Sequence, residues 1–388
     1  MKHAPLHCAQ MYRKSSLYTG AAILTQALRL ERHKYYPEQS VTSDPVAAKT
    51  KAPPKHSQAS PRDALFDAAE AIVLTASDVE VNYQRLFELS REWAPRSMVL
   101  PKWDMPPVFL DKADNNTVDF MILGNCINFA FTDFATGKKY AAEYNGTVYE
   151  GAMGMWAALK GAFERGIPVL DGDYLSKITV KEAEGIFNGK SQIPMLQERV
   201  DILREVGTIL KDRYCGHFHN LVAAANYRMF DKGGGLVERL VSEFPSFRDS
   251  AVHGGIQIAF NKRAQLAAGM LHEKFLGLGQ QLFPSYDVRQ LTVFADYELP
   301  RALRGLGIVT LSSSLQSKID SGQLIPKGSP EEVEIRAATV YTARLIEDAI
   351  NSINPQANVN ALHIDYLLWS DGRKHKALRH HLTVTTAY

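Results

Sequence analysis

From residue 61 to the end of the chain, apolar residues recur mainly at three- and four-residue spacing, which is the spacing of one face of an α-helix. Leu65, Phe66, Ile72 and Val73 follow this pattern after Asp63, which we predict to be the N-cap of the first helix. The same spacing predicts further helices over 82–93, 149–165, 191–212, 221–230, 236–244, 262–276, 299–306, 311–321 and 330–353. The chain is therefore expected to fold mainly as α-helices.

Three shorter runs favour β-strands because apolar and β-branched residues are dense in them: 108–110, 117–123 and 138–143. They flank the segment Asn128-Phe-Ala-Phe-Thr-Asp, and we expect one small antiparallel sheet around it. No internal repeat and no linker interrupts residues 63–388. The sequence thus predicts a single compact helical domain with a small antiparallel β-sheet, and two closely packed lobes would give the same pattern.

The first 62 residues differ in composition from the rest of the chain. Their only acids are Glu31, Glu38 and Asp44, and residues 47–61 have no apolar period. We therefore predict that residues 40–62 are disordered. Residues 11–32 combine apolar and basic side chains, which fits either a mitochondrial presequence or an unstructured extension of a cytoplasmic protein.

The overall charge excludes strong attraction to nucleic acid, because 44 basic residues against 42 acidic ones give a net charge of +2. Neither nucleic acid nor a membrane is expected as a partner, and no run of about twenty apolar residues predicts a membrane-spanning helix. Three scattered cysteines favour a reducing compartment. His217 and His219 lack a third ligand at recognisable spacing, so we expect no metal there.

Asp296 lies in the most informative segment of the chain. The apolar run from Leu291 to Ala295 leads directly to it, and the predicted helix over 299–306 follows. One interpretation is that Asp296 only caps this helix. However, Asp296-Tyr-Glu-Leu-Pro-Arg-Ala-Leu-Arg-Gly-Leu-Gly resembles the helix that carries the catalytic aspartate of helix-hairpin-helix DNA glycosylases.

Several further segments between residues 63 and 373 occur in a specific order and spacing. They are Asn128-Phe-Ala-Phe, Gly166-Ile-Pro, Met195-Leu-Gln-Glu-Arg, Phe244-Pro-Ser-Phe-Arg-Asp, Lys262-Arg-Ala-Gln, Phe294-Ala-Asp-Tyr-Glu-Leu-Pro, Glu332-Val-Glu-Ile-Arg and Asp365-Tyr-Leu-Leu-Trp. In these segments the chain resembles the queuosine salvage family, the queuosine 5'-phosphate N-glycosidases. The basic leader lies outside the resemblance.

The resemblance implies hydrolysis of the N-glycosidic bond of queuosine 5'-monophosphate with release of queuine, on a helical fold related to DNA glycosylases. Asp296 would be the catalytic acid, with Phe294 and Tyr297 beside it and Asp287 as the reserve acid. Cleavage passes through an oxocarbenium-like ribose, which a carboxylate can stabilise, trap covalently or attack through a deprotonated water. These three roles stay open, and the chemistry requires no metal or organic cofactor.

The leaving base restricts the mechanism, because a 7-deazaguanine has carbon where guanine has the N7 that is usually protonated. Asp365 is expected to read the amino-pyrimidinone edge of the base, with Tyr366 and Trp369 offering a stacking face. The alternative is a buried Asp365 that caps a helix beside two core aromatics. Asp371 stands one residue later than the acid that the family pattern has after the tryptophan.

The 5'-phosphate requires fixed cations, and the family segments supply Lys262, Arg263, Arg248 and Arg336 as candidates. Each could instead form a structural ion pair, Arg336 with Glu332 in particular. Two rival functions remain: a non-catalytic carrier of queuine or queuosine, and a nucleic-acid glycosylase, which would need a basic stripe on the folded body. The oligomeric state stays open.

Overall fold

The computed structural model describes residues 60–96, 98, 100, 107–372, 374 and 377–388. The predicted leader lies outside these residues, except that helix α1 (Pro61–Thr75) already begins within it. Ser60 caps α1 by accepting a hydrogen bond from the Asp63 N–H at 3.2 Å, so the prediction that Asp63 is the cap is wrong. Arg62 forms an ion pair with the buried Glu347 at 2.6 Å. The disorder predicted over 40–62 therefore does not extend to its last three residues.

The predicted mainly helical architecture is confirmed. The other helices are α2 (Tyr83–Trp93), α3 (Asn115–Cys126), α4 (Ala152–Glu164), α5 (Gly172–Leu175), α6 (Val180–Ile186), α7 (Leu196–Arg213), α8 (Phe218–Ala224), α9 (Leu236–Glu243), α10 (Lys262–Gly277), α11 (Ser285–Val288), α12 (Glu298–Gly305), α13 (Ser313–Ser321), α14 (Pro330–Ile353) and α15 (Ala361–Gly372). Single turns of 3₁₀-helix span Pro245–Phe247 and Pro355–Ala357.

Three antiparallel pairs of short strands replace the one predicted sheet in the described part of the chain. They are β1 (Val79–Val81) with β6 (Val309–Leu311), β2 (Ala141–Tyr144) with β3 (Thr147–Glu150), and β4 (Ser250–His253) with β5 (Ile256–Ala259). The second and third pairs are hairpins. The first joins distant parts of the chain in a register that sets Val79 opposite Leu311.

The predicted strand over 117–123 is wrong, because these residues lie in α3. Asp114 caps this helix by accepting a hydrogen bond from the Thr117 N–H at 3.0 Å. Every residue from Thr117 to Cys126 is buried, so α3 has no solvent-facing side. A helix that is apolar on all sides loses the periodic pattern by which helices are recognised. The predicted strand over 108–110 is also irregular backbone.

Two hydrophobic clusters form the interior. The first cluster is built mainly from residues 108–294 and the second from residues 65–94 together with 293–368. α14 is the centre of the second cluster, where α1 and α2 pack against it. α10 is buried continuously from Lys262 to Phe275, and its apolar side chains belong to the first cluster. Among the described residues, no helix combines the length and apolar character needed to cross a bilayer.

Candidate active site

A cavity of about 470 Å³ lies where the two clusters meet. This volume is in the range of pockets that hold small organic ligands, about 300–1,000 Å³. Seven of the residues predicted as site residues line it together: Lys262, Phe294, Asp296, Tyr297, Asp365, Tyr366 and Trp369. The opposite wall comes from the first cluster and includes Phe129, Phe131 and Trp156.

The two carboxylate oxygens of Asp296 have different surroundings. Oδ1 accepts hydrogen bonds from the backbone N–H groups of Glu298 at 2.8 Å and Leu299 at 3.4 Å, at the start of α12. The capping interpretation is therefore confirmed. Oδ2 lies 3.8 Å from the Lys262 Nζ, and both residues line the cavity. Capping fixes the orientation of the carboxylate and leaves its second oxygen beside the cavity.

Asp365 faces the same cavity from α15. Its Oδ2 accepts a hydrogen bond from the Phe294 N–H at 2.7 Å, so it does not cap its own helix, a task that falls to Asn360. Burial raises the pKa of Asp365 to about 8, and the charge of Asp296 raises it further, against the opposing effects of the Phe294 N–H and Lys262. Asp365 is therefore largely protonated at neutral pH and can donate a hydrogen bond.

Aromatic rings supply much of the remaining surface. The rings of Tyr366 and Trp369 lie 6.3 Å apart and are inclined by 25°, and both line the cavity. Tyr297 stacks on His380 at 4.4 Å between ring centroids. Flat faces of this kind bind a planar heterocycle without restricting its polar edges.

The family comparison matches most of the described chain. The family model of the queuosine salvage protein covers residues 108–388, which include every one of the seven lining residues above. The chain belongs to the queuosine salvage protein family. A relative from Sphaerobacter thermophilus, named queuosine 5'-phosphate N-glycosylase/hydrolase, is 34% identical over 319 residues, which are 82% of this chain and 95% of the relative.

Eukaryotic relatives with the same name are similarly close. The mouse protein is 33% identical over 271 residues, covering 68% of this chain and 78% of its own. The protein from Dictyostelium discoideum is 37% identical over 232 residues, covering 59% of this chain and 69% of its own. Family membership thus holds across bacterial and eukaryotic sequences.

Two of the predicted phosphate ligands, Arg263 and Arg336, form hydrogen bonds with buried groups of the protein. Arg263 donates to the backbone carbonyls of Cys126 and Ser246. Arg336 forms a bidentate ion pair with Asp249, at 2.8 and 2.6 Å, and its predicted contact with Glu332 is longer, at 3.5 Å. Neither side chain belongs to the cavity lining. The structure therefore contradicts a direct role of either arginine in binding a ligand there.

Three other predicted residues also lie outside the cavity lining. Arg248 donates to the carbonyls of residues 241 and 242. Asp287 is fully buried and accepts two hydrogen bonds from the guanidinium of Arg228, both at 3.0 Å, which makes it a structural acid rather than a reserve catalyst. Asp371 approaches Lys374 at 3.3 Å. All three side chains therefore contact neighbouring protein groups outside the cavity.

Sequence reasoning missed five charged residues that do line the cavity: Lys139, Glu150, Glu273, Glu298 and Arg301. Arg301 follows Asp296 by five residues, and its ion pair with Glu298 brings it to the same side of α12. Glu273 shares one face of α10 with Lys262, at a spacing of eleven residues. Helical spacing from Lys262 was the signal that could have found Glu273.

A second polar cluster joins α3 to the start of α8. Asp119, His217 and His219 offer ligand atoms that all lie within 4.8 Å of one another. Asp119 accepts a hydrogen bond from the His219 N–H at 2.7 Å, and its Oδ2 lies 2.9 Å from the His219 Nδ1. Asp119 is a third candidate ligand that spacing could not reveal, because it is about a hundred residues distant in sequence, and the expectation that no metal binds here stays a prediction. None of the three lines the cavity.

Proposed function

We propose that this chain hydrolyses the N-glycosidic bond of queuosine 5'-monophosphate and releases queuine. One observation carries the proposal: a capped carboxylate, Asp296, presents an oxygen at a cavity of nucleotide size beside a second acid that is largely protonated. The names of the relatives support the same reaction.

Asp296 acts at the anomeric carbon of the ribose in this mechanism. Positive charge develops there as the bond to the base lengthens, and an ionised carboxylate within an enclosed site stabilises it strongly. The Nζ of Lys262 lies 3.8 Å from Oδ2, and the two groups form an ion pair at the cavity wall. Stabilising the cation, trapping it covalently and activating water all require this ionised oxygen, so the proposal does not depend on the choice among the three roles.

Asp365 assists departure of the base. A 7-deazaguanine cannot be protonated at position 7, so negative charge that develops on the leaving base must be relieved at another atom of the ring. With a pKa of about 8, Asp365 can donate its O–H to an acceptor on the base. The two acids then have different roles: Asp296 stabilises the positive charge and Asp365 donates a hydrogen bond.

Arg301 and Lys139 replace the rejected arginines as the proposed phosphate ligands, together with Lys262. The Nε of Arg301 is buried and has no hydrogen-bond partner among the described residues, so one donor of this guanidinium is available to a ligand. A phosphate in this position would accept the charge-assisted hydrogen bond that the protein leaves unmade.

The decisive experiment incubates the purified chain with queuosine 5'-monophosphate and a metal chelator and detects queuine by mass spectrometry. Asp296→Asn keeps the acceptor that caps α12 and removes the charge, so we expect kcat to fall about 10²- to 10⁴-fold while queuine still binds. Equal activity of the variant would exclude Asp296 as the catalytic acid. A wild-type chain that binds queuine without releasing it from the nucleotide would be a carrier.

Three finer points remain predictions. They are the kinship of the Asp296 helix with that of helix-hairpin-helix DNA glycosylases, the absence of direct binding to nucleic acid, and a location in the cytoplasm or in mitochondria. Competition of the hydrolysis by duplex DNA or by transfer RNA would test the second point, since a free-nucleotide enzyme is not inhibited by either polymer at low concentration.

A further inference from the structure

One face of α10 runs along the wall of the cavity. It presents Lys262, Leu266, Gly269, Met270 and Glu273, which recur at helical spacing. Lys262 marks the end at which Asp296 lies. Glu273 is eleven residues further on, which corresponds to about 16 Å along the helix axis. The cavity is therefore long enough to receive a ligand whose reacting bond and whose far substituent contact different turns of α10.

Glu273 is a buried acid that has no paired charge among the described residues. Its exposed fraction is 7%, and among the residues that the structure describes it has neither a hydrogen-bond donor nor a cation. Burial alone raises its pKa to about 7. Other buried acids differ: Glu298 pairs with Arg301, and Glu334 accepts the Asp78 N–H at 2.8 Å. Burying an unpaired carboxyl is unfavourable unless a ligand completes the pairing.

The ligand chemistry that completes this arrangement is a cation between hydrocarbon groups. Leu266 and Met270 flank Glu273 on the same helix face, and Leu362 lines the cavity beside them. The carbon atoms next to an ammonium group would pack on these side chains while the ammonium reaches the carboxylate. Queuosine carries a secondary amine of this kind on its 7-substituent, between the deazaguanine and a dihydroxycyclopentene ring, and guanosine has no such group.

We infer that Glu273 is a specificity-determining residue that binds the secondary ammonium of the 7-substituent, an inference that rests on the proposed function. The ion pair forms within the protein interior, where it is little screened by water. Glu273 thereby distinguishes 7-deazaguanine nucleotides with a cationic amine on the 7-substituent from those with a neutral 7-substituent. It does not contact the reacting atoms.

The test compares two substrates with the purified full chain: queuosine 5'-monophosphate and 7-cyano-7-deazaguanosine 5'-monophosphate, whose substituent is neutral. Glu273→Gln should lower kcat/KM for the first about 10- to 100-fold, as expected for loss of a buried charge-assisted contact, and change it less than about threefold for the second. Glu150→Gln, an exposed carboxylate at the mouth of the same cavity, is the matched control and should not alter the preference between substrates. An equal loss on both substrates, or no loss on the first, overturns the inference.

Binding of free queuine separates this inference from the proposed function. If wild type hydrolyses neither substrate but binds queuine by calorimetry at least tenfold more tightly than Glu273→Gln, the Glu273 subsite stands and the hydrolase does not. If hydrolysis proceeds and the variant binds queuine as tightly as wild type, the subsite is refuted alone. A folded wild-type chain that neither hydrolyses the substrates nor binds queuine would refute both the hydrolase function and the Glu273 subsite.

Discussion

Replacing Glu273 by glutamine should make the empty protein more stable at alkaline pH. The carboxyl has a pKa of about 7 in the folded protein against an ordinary value of 4.5. An acid whose pKa is raised by folding does not change the free energy of unfolding at a pH below its unfolded-state pKa. The free energy of unfolding falls as the pH rises from the unfolded-state pKa to the folded-state pKa. At about 1.4 kcal/mol per pH unit, the full penalty is about 3 kcal/mol above pH 7.

Thermal unfolding of wild type and Glu273→Gln between pH 5 and pH 8.5 measures this penalty. Glutamine has nearly the same shape as the protonated acid and cannot ionise. The free-energy gap in favour of the variant should grow from about 1 kcal/mol at pH 5 to about 3 kcal/mol at pH 8.5. At about 1–2 °C per kcal/mol for a chain of this size, the melting temperatures should separate by about 3–6 °C at the higher pH. Glu150→Gln should stay within about 0.5 kcal/mol of wild type throughout, as exposed substitutions usually do.

A gap that does not change with pH would refute the reasoning, because it would mean that Glu273 does not titrate in this range. A wild type more stable than the variant at pH 8.5 would show that the folded protein already supplies a cation to Glu273. Either result would also remove the basis for the ammonium subsite. Adding queuine should reduce the gap, since a ligand that binds the folded wild type more tightly than the folded variant stabilises the wild type more by mass action.

Three further changes test other parts of the structure. Gly124→Ala places a Cβ 2.0 Å from the ring of Trp156, so we expect a loss of about 1–3 kcal/mol in thermal unfolding and a raised KM as this cavity wall moves. Arg336→Met leaves Asp249 buried without its cation and should cost about 3–5 kcal/mol in denaturant unfolding. Arg301→Gln should raise KM about tenfold for queuosine 5'-monophosphate and leave KM for the nucleoside unchanged, measured by queuine release.

The sequence predicts helices whose apolar residues alternate with charged or polar ones. The predicted bounds of α14 agree with the structure at both ends, and those of α10 within one residue, although α10 is buried on all sides. The prediction fails for α3, where a dense apolar run resembles a strand, and where pairing is distant, as for the strand residues before α13. Residue 311 reads locally as the start of a helix, but it pairs with Val79 in a strand that no local pattern reveals.

The acids and aromatics of the site are largely predictable because they lie close together in two short segments, 294–297 and 365–369. Of the predicted cations, Lys262 lines the cavity and the three arginines do not. An arginine in the sequence carries no sign of whether its guanidinium faces a cavity or donates to buried carbonyls, as that of Arg263 does. Glu273 was missed for a related reason: its significance lies in having no partner among the described residues, which only the packed structure reveals.

Residues 294–296 are held by hydrogen bonds at three successive positions, and this arrangement supports the catalytic role that we propose for Asp296. The Phe294 N–H donates to Asp365, the Ala295 carbonyl accepts from the Nε of Arg336 at 3.0 Å, and Oδ1 of Asp296 accepts from the start of α12. Arg336 is thus a positioning residue that connects the Asp249 ion pair to the backbone next to Asp296. Because the same short segment fixes both acids, the distance between their free oxygens is set by main-chain contacts rather than by flexible side chains, as preorganised electrostatic catalysis requires.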